Sequence, residues 1–143
     1  MALQTNYSET MAAFVEGMIP DMRTPGQDVS RNVETAAGIG FGKVAVQGTA
    51  DKQIVVSEAS KTFIGITVLD TTQLQEKYLQ YGSARVRTKG PVVVTAGAAV
   101  VAGASAYFVP ATGVFNSTPT GNTLIGTFET SGADGDLVVL NLT

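Results

Sequence analysis

The chain has 143 residues, 16 glycines, no cysteine, no histidine and a formal net charge of −3 at pH 7. That length allows one domain burying roughly 70% of its unfolded surface, while the acidic balance excludes the basic surface that phosphate binding needs. The missing thiols and imidazoles exclude disulfides, Ser-His-Asp and Cys-His catalysis and thiolate or imidazole zinc sites, leaving only carboxylate, lysine or tyrosine chemistry.

Residues 1–34 differ from the rest. Gly17, Pro20, Pro25 and Gly26 interrupt them and no period of two persists. Residues 10–18 suit a turn or two of helix, closed by Gly17 and Pro20. The apolar run at 11–15 is short, lies between Glu9 and Glu16 and follows no basic segment, unlike a signal peptide. No stretch approaches the ~20 apolar residues of a membrane span. Residues 1–34 are therefore expected to be either a frayed terminus or an N-terminal arm that orders against a neighbour. Leu3, Met11, Phe14, Val15, Met18, Ile19 and Met22 favour docking, because a solvated tail has no use for them. Fully extended, some 30 residues reach on the order of 100 Å.

From residue 35 to 143 the pattern is β. Ile39, Phe41 and Lys43 alternate with Gly38, Gly40 and Gly42, and Val44 and Val46 continue the second face, so 39–46 reads as a strand. Residues 53–56, 62–69, 86–94, 106–109, 114–116, 124–129 and 137–142 read as further strands. Turns at 48–51, 111–113 and 132–135 separate several of them. One short helix or crossover loop is expected near 72–82, where Thr72 and Gln75 have capping-box spacing, Leu74 and Tyr78 lie four apart and Gly82 suits the end. The fold class expected is mainly β: a small β-barrel or β-sandwich with an extended N-terminal arm and at most one short helix. An offset of 61 positions aligns Thr62, Ile64 and Gly65 with Thr123, Ile125 and Gly126, and Ala37, Gly42 and Ala45 with Ala98, Gly103 and Ala106. Two similar β units are expected from it.

The candidate chemistry is thin. Gly38-Ile39-Gly40-Phe41-Gly42 has phosphate-loop composition, but strand rather than helix follows it; close approach of another backbone or subunit is the better reading. Asp134-Gly135-Asp136 is too short an acidic loop for calcium and reads as a hairpin turn. Glu9, Glu16, Asp21, Asp28 and Glu34 have no spacing that pairs carboxylates for acid–base work. No catalytic residue, metal site or cofactor is expected. Arg85, Arg87 and Lys89, at a spacing of two, form a basic stripe on one strand face. They are either the solvent face of a half-buried sheet or an electrostatic register against an acidic neighbour.

The stretch Tyr81-Gly82-Ser83-Ala84-Arg85-Val86-Arg87-Thr88-Lys89-Gly90-Pro91-Val92-Val93-Val94, followed by Gly97, Val100, Gly103 and Ala106-Tyr107-Phe108, resembles the structural cement, or decoration, proteins of tailed bacteriophages. Met1-Ala2-Leu3-Gln4-Thr5, Gly17-Met18-Ile19-Pro20-Asp21, residues 39–46 and Phe63-Ile64-Gly65-Ile66 resemble that family too, in order along nearly the whole chain. Pro91, which has no N–H to donate, suggests a sheet edge or strand start there. The resemblance implies a non-enzymatic protein on the outer surface of the capsid of a virion. It would bind the phage major capsid protein and itself as a homo-oligomer, trimer ahead of dimer, with no nucleic acid and no membrane. The partner-binding residues expected are Phe14, Met18, Ile19, Met22, Arg85, Arg87 and Lys89. The rivals are another virion or surface β module (tail, spike or receptor-binding adhesin) and a carboxylate-dependent hydrolase, which needs two acids converging in a pocket.

Overall fold

The computed structural model describes residues 15–23 and 26–143, and among them there is no helix. Eleven strands follow in order: β1 (Gln27–Val33), β2 (Ile39–Gly40), β3 (Val44–Gln47), β4 (Gln53–Val56), β5 (Phe63–Thr67), β6 (Lys77–Tyr78), β7 (Ser83–Thr95), β8 (Ser105–Phe108), β9 (Phe115–Asn116), β10 (Thr123–Phe128) and β11 (Leu137–Leu142). Nine form one sheet ordered β1-β4-β3-β5-β7-β11-β10-β8-β9, and β1 also pairs with β7.

That extra pairing closes a five-stranded barrel of β1, β4, β3, β5 and the first half of β7. Its interior holds Val33, Ile39, Ala45, Ile54, Tyr78, Ala84 and Val86. The second half of β7 opens another arc, β7-β11-β10-β8-β9, whose ends meet through an isolated Ala96–Phe115 bridge. Val44, Val46, Val55 and Ile66 from the outer face of the first barrel join Val92, Val94, Phe108, Phe128 and Leu140 in one larger core, so burial welds the two units together. Phe63 rests on Phe108 with ring centroids 5.2 Å apart.

The two units repeat in register as well as in sequence. The pair Ala45–Gly65 recurs 61 positions later as Ala106–Gly126, each beside a β-bulge. The parallel pair Val33–Ile54 recurs as the Ala96–Phe115 bridge, and Ile39–Tyr78 recurs as Val100–Gly132. Gly42 N–H donates to Thr67 O at 2.8 Å, and Gly103 N–H donates to Phe128 O at 2.7 Å. The expectation of two similar β units is thus answered by backbone geometry, with the 13-residue β7 ending one unit and beginning the next.

Two expectations change, for residues 39–46 and for Pro91, and of the two alternatives for 72–82 the loop is the one found. Residues 39–46 are not one strand: Gly42 has φ +68°, which ends β2 and starts β3 afresh. No helix forms over 72–82, because the Asp70 carboxylate accepts from Thr72 N–H (3.0 Å) and Thr72 O–H (2.6 Å), holding a local turn. Leu74 is left fully exposed, while Tyr78 is buried in β6 with its hydroxyl donating to Val68 O at 2.6 Å. Pro91 lies inside β7 rather than at an edge or strand start, paired with Asn141. Two residues on, Val93 turns its backbone to a flank where, among the described residues, Gly17 and Met18 dock. Pro91 shares that flank by the strand period of two, so its missing donor leaves no ladder partner wanting.

Candidate functional site

The described residues expected to meet a partner fall on two stretches of chain, residues 15–23 and strand β7, which meet at Val93. Residues 15–23 run as a strap over the junction of the two units. Gly17 N–H donates to Val93 O (2.8 Å), Val93 N–H to Met18 O (2.9 Å) and Leu69 N–H to Gly17 O (2.9 Å). Only glycine fits at 17: its φ is +84°, and a Cβ there would lie 2.8 Å from Phe41 Cβ and 2.9 Å from two backbone nitrogens. Met18 and Ile19 are half-buried along the strap, whereas Met22 is 98% exposed. Phe14 lies outside the described residues, as does most of the helical turn expected at 10–18; residues 15–18 form a turn.

Charges pin the strap down. Lys43 Nζ reaches Glu16 Oε1 at 2.8 Å. Arg23 bridges Asp21, through Nε at 2.8 Å, and Glu129 beyond the end of β10. The Arg23 guanidinium beside Asp21 holds that carboxyl down to about 2, and the two carboxylates in turn push Arg23 above its ordinary range.

The basic stripe is split by burial. Arg85 and Lys89 are exposed on β7, but Arg87 between them is only 5% exposed. β1 covers it: Asp28 is opposite Arg87, Gln27 is opposite Lys89 with a bulge between, and a Cβ on Gly26 would meet Arg87 Nη2 at 2.7 Å. Asp28 accepts from Arg85 Nε at 2.8 Å and faces Arg87 Nε at 3.4 Å. Arg87 Nη1 and Asp28 Oδ1 are buried without a hydrogen-bond partner. Arg87 thus sits inside the β1–β7 seam, while Met22, Arg85 and Lys89 present their side chains outward.

A groove of about 660 Å³ opens where the strap meets the first barrel, lined by Val15, Phe41, Lys43, Leu74 and three carboxylates, Glu16, Asp70 and Glu76. Glu16 is engaged by Lys43, and Asp70 by Thr72 and Gln73, whose donors hold its carboxyl below the usual range. Held low, the Asp70 carboxyl is not raised towards neutrality as a general acid requires. Among the described residues no cluster of three or more Asp or Glu could hold a metal ion, and no helix is long and apolar enough to cross a membrane.

Sequence reasoning missed two surface residues. Lys52 (φ +58°) and Tyr81 (φ +63°) hold left-handed backbone without being glycine, and Tyr81 is 74% exposed. Nothing in the residue types signals such a conformation.

The family model of "Structural cement protein (E217 gp24/Pam3 gp6)" matches residues 3–143. Among solved structures, a chain of the capsid of Myoviridae phage XM1 is similar with a TM-score of 0.70 and 19% identity, covering 98% of this chain and 97% of that one. The N base of head fiber gp8.5 in bacteriophage phi29 is similar with a TM-score of 0.54 and 14% identity, covering 82% of this chain and 94% of that one. No curated protein sequence matches the chain.

Proposed function

Because the chain belongs to the structural cement protein family of bacteriophages, and so is a component of the virion capsid, we propose that it binds the outside of the assembled head and stabilises contacts between neighbouring major capsid protein subunits, without catalysing a reaction. The observation that carries this reading is the family match over residues 3–143 joined to the surface just described. A charge-pinned strap and β7 together present Met22, Arg85 and Lys89 on a protein whose total charge is acidic.

Cementing favours many modest contacts repeated by symmetry, since linking sites multiplies weak affinities. A homo-oligomer, trimer ahead of dimer, fits that logic. The arm over 1–34 is the segment proposed to reach a neighbour, with Phe14, Met18, Ile19 and Met22 as its apolar contacts; its last residues are strand β1. Arg85 and Lys89 set orientation against an acidic capsid surface, and Arg87 supports them from within the seam. Nucleic acid has no part in this reading, because exposed cations are too few to neutralise a run of phosphates.

The test is addition of the protein to heads of the parent phage prepared without it. Saturable binding at a fixed number of copies per capsid subunit, weakened by an Arg85→Glu/Lys89→Glu variant at moderate salt, supports the reading. Absence of binding refutes it. The likeness to a head-fiber base gives a second reading some support, that of a projecting virion module; such a module would bind glycans or cells in isolation, which a cement protein does not.

A further inference from the structure

The duplicated architecture provides an internal comparison for each backbone position. In the second unit, Gly113 (φ +77°), Gly121 (φ +73°) and Gly135 (φ +90°) take left-handed conformations; the positions that correspond in the first unit are Lys52 (φ +58°), Ser60 (φ +67°) and Tyr81 (φ +63°). The correspondence is geometric: Tyr81 N–H donates to Val33 O at 2.7 Å just as Gly135 N–H donates to Ala96 O at 2.8 Å. Lys52 and Gly113 each stand one residue before the segment that leads into the matched pair Ile54 and Phe115. The same chain thus satisfies the same turns with glycine, the residue for which this backbone is free of strain. A bulky side chain held there calls for a reason.

The fold gives none. The Tyr81 ring is 74% exposed, and Lys52 is exposed with no carboxylate partner among the described residues. The two flank the last residues of β1 from opposite sides: on the β4 side Lys52 O accepts from Asn32 N–H at 3.0 Å, and on the β7 side Tyr81 N–H donates to Val33 O. Leu79, 45% exposed, lies two residues before Tyr81. The spot is continuous with the surface already described, since Tyr81, Ser83 and Arg85 are alternate exposed positions leading into β7. Ser60 is different: it has a small side chain and lies at the opposite end of β4 from Lys52.

We propose that Tyr81 and Lys52 form a second docking spot on the first unit, for a capsid-protein surface that offers carboxylates beside an apolar patch. An exposed aromatic ring with a polar tip suits an interface hot spot, and Lys52 and Lys89, exposed cations with no carboxylate partner among the described residues of an acidic chain, select a carboxylate-bearing partner. This rests on the cement reading and extends it to named residues outside the strap and stripe.

Glycine variants test it cleanly, because the second unit shows that glycine suits these turns. Tyr81→Gly, Lys52→Gly, their double variant and the control Ser60→Gly are compared by thermal unfolding, light scattering and co-sedimentation with heads of the parent phage lacking this protein. The expected result is a thermal midpoint no lower than the parent's in every variant and an unchanged solution mass. The double variant loses at least tenfold in affinity for heads, and Ser60→Gly loses none. Head binding by the double variant within twofold of the parent overturns the inference while leaving the cement reading intact. A lowered midpoint for Tyr81→Gly, showing that the ring serves the fold, overturns it as well. So does a loss of solution mass, which would make a second copy the partner. Failure of the parent itself to bind heads removes the cement reading and this inference with it.

Discussion

Alanine at Gly65 or at Gly126 is predicted to cost the protein about the same stability, because the two glycines hold one position in each of two matching units. A Cβ on Gly65 would lie 2.2 Å from Arg87 O, and one on Gly126 would lie 2.0 Å from Asn141 O. Contacts under 3.0 Å are not tolerated, and the opposing atom is a backbone carbonyl that cannot rotate away. The neighbouring strands must therefore part by about 1 Å, enough to stretch hydrogen bonds of ordinary length beyond bonding range. β5 pairs with β7 at Ile66–Arg87 and Thr67–Val86, and Val68 N–H just beyond it donates to Arg85 O at 2.9 Å, so the ladder that resists is short. Losing about two net hydrogen bonds at ~1 kcal/mol each, with overpacking at the low end of its range, ~1 kcal/mol, gives a loss of about 3 kcal/mol for either variant. At an m-value of about 2 kcal/mol/M, the urea midpoint followed by circular dichroism falls by about 1.5 M. A midpoint within about 0.3 M of the parent for either variant, or a large loss for one and none for the other, would refute the argument from paired units.

Three further outcomes follow from the same geometry. Tyr78→Phe removes the hydroxyl that donates to Val68 O inside the first barrel and is expected to lower stability by about 1–2 kcal/mol in urea unfolding, with the fold kept because the ring still packs edge-on against Phe41. Asp28→Asn leaves the buried Arg87 guanidinium without its carboxylate and should cost about 3 kcal/mol, whereas Asp28→Asn/Arg87→Leu should recover most of that; equal losses in the two would count against a buried ion pair in the β1–β7 seam. For pH, Asp21, Glu34 and Asp70 all have folded carboxyl values below their ordinary ones. Their contribution is complete above the ordinary value and lost as pH falls through the folded one, for Asp21 from 3.8 down to about 2. Thermal midpoints measured across that window should fall for the parent and fall less for Asp21→Asn.

Much of the β framework could be read from residue pattern. The bounds expected for 53–56 and 137–142 coincide with β4 and β11, and the turns at 48–51, 111–113 and 132–135 separate strands as expected, because glycine and aspartate mark reversals locally. What escaped depended on distant partners. β1 is sparsely apolar, with Ser30, Arg31 and Asn32 in sequence, and becomes a strand by pairing with β7 and β4. Alternation continued through Phe41-Gly42-Lys43, so the break at Gly42 could not be seen in it. Residues 74–78 had helical spacing, but the Asp70 carboxylate captured the turn first. At the surface, spacing correctly placed Arg85, Arg87 and Lys89 on one strand, yet said nothing of the cover that Gly26 and Asp28 lay over Arg87. The left-handed backbone of Lys52 and Tyr81 left no trace in residue type; comparison with Gly113 and Gly135 exposes it.

The central claim, that this chain cements an assembled head from outside, is tested most directly by the disruption temperature of the parent phage's heads measured by scanning calorimetry with and without the added protein. The account predicts that saturating protein raises the temperature at which heads come apart, that the rise stops at a fixed ratio to capsid subunits, and that Arg85→Glu/Lys89→Glu diminishes it. Heads that bind the protein stoichiometrically yet come apart at an unchanged temperature would contradict cementing and leave only decoration.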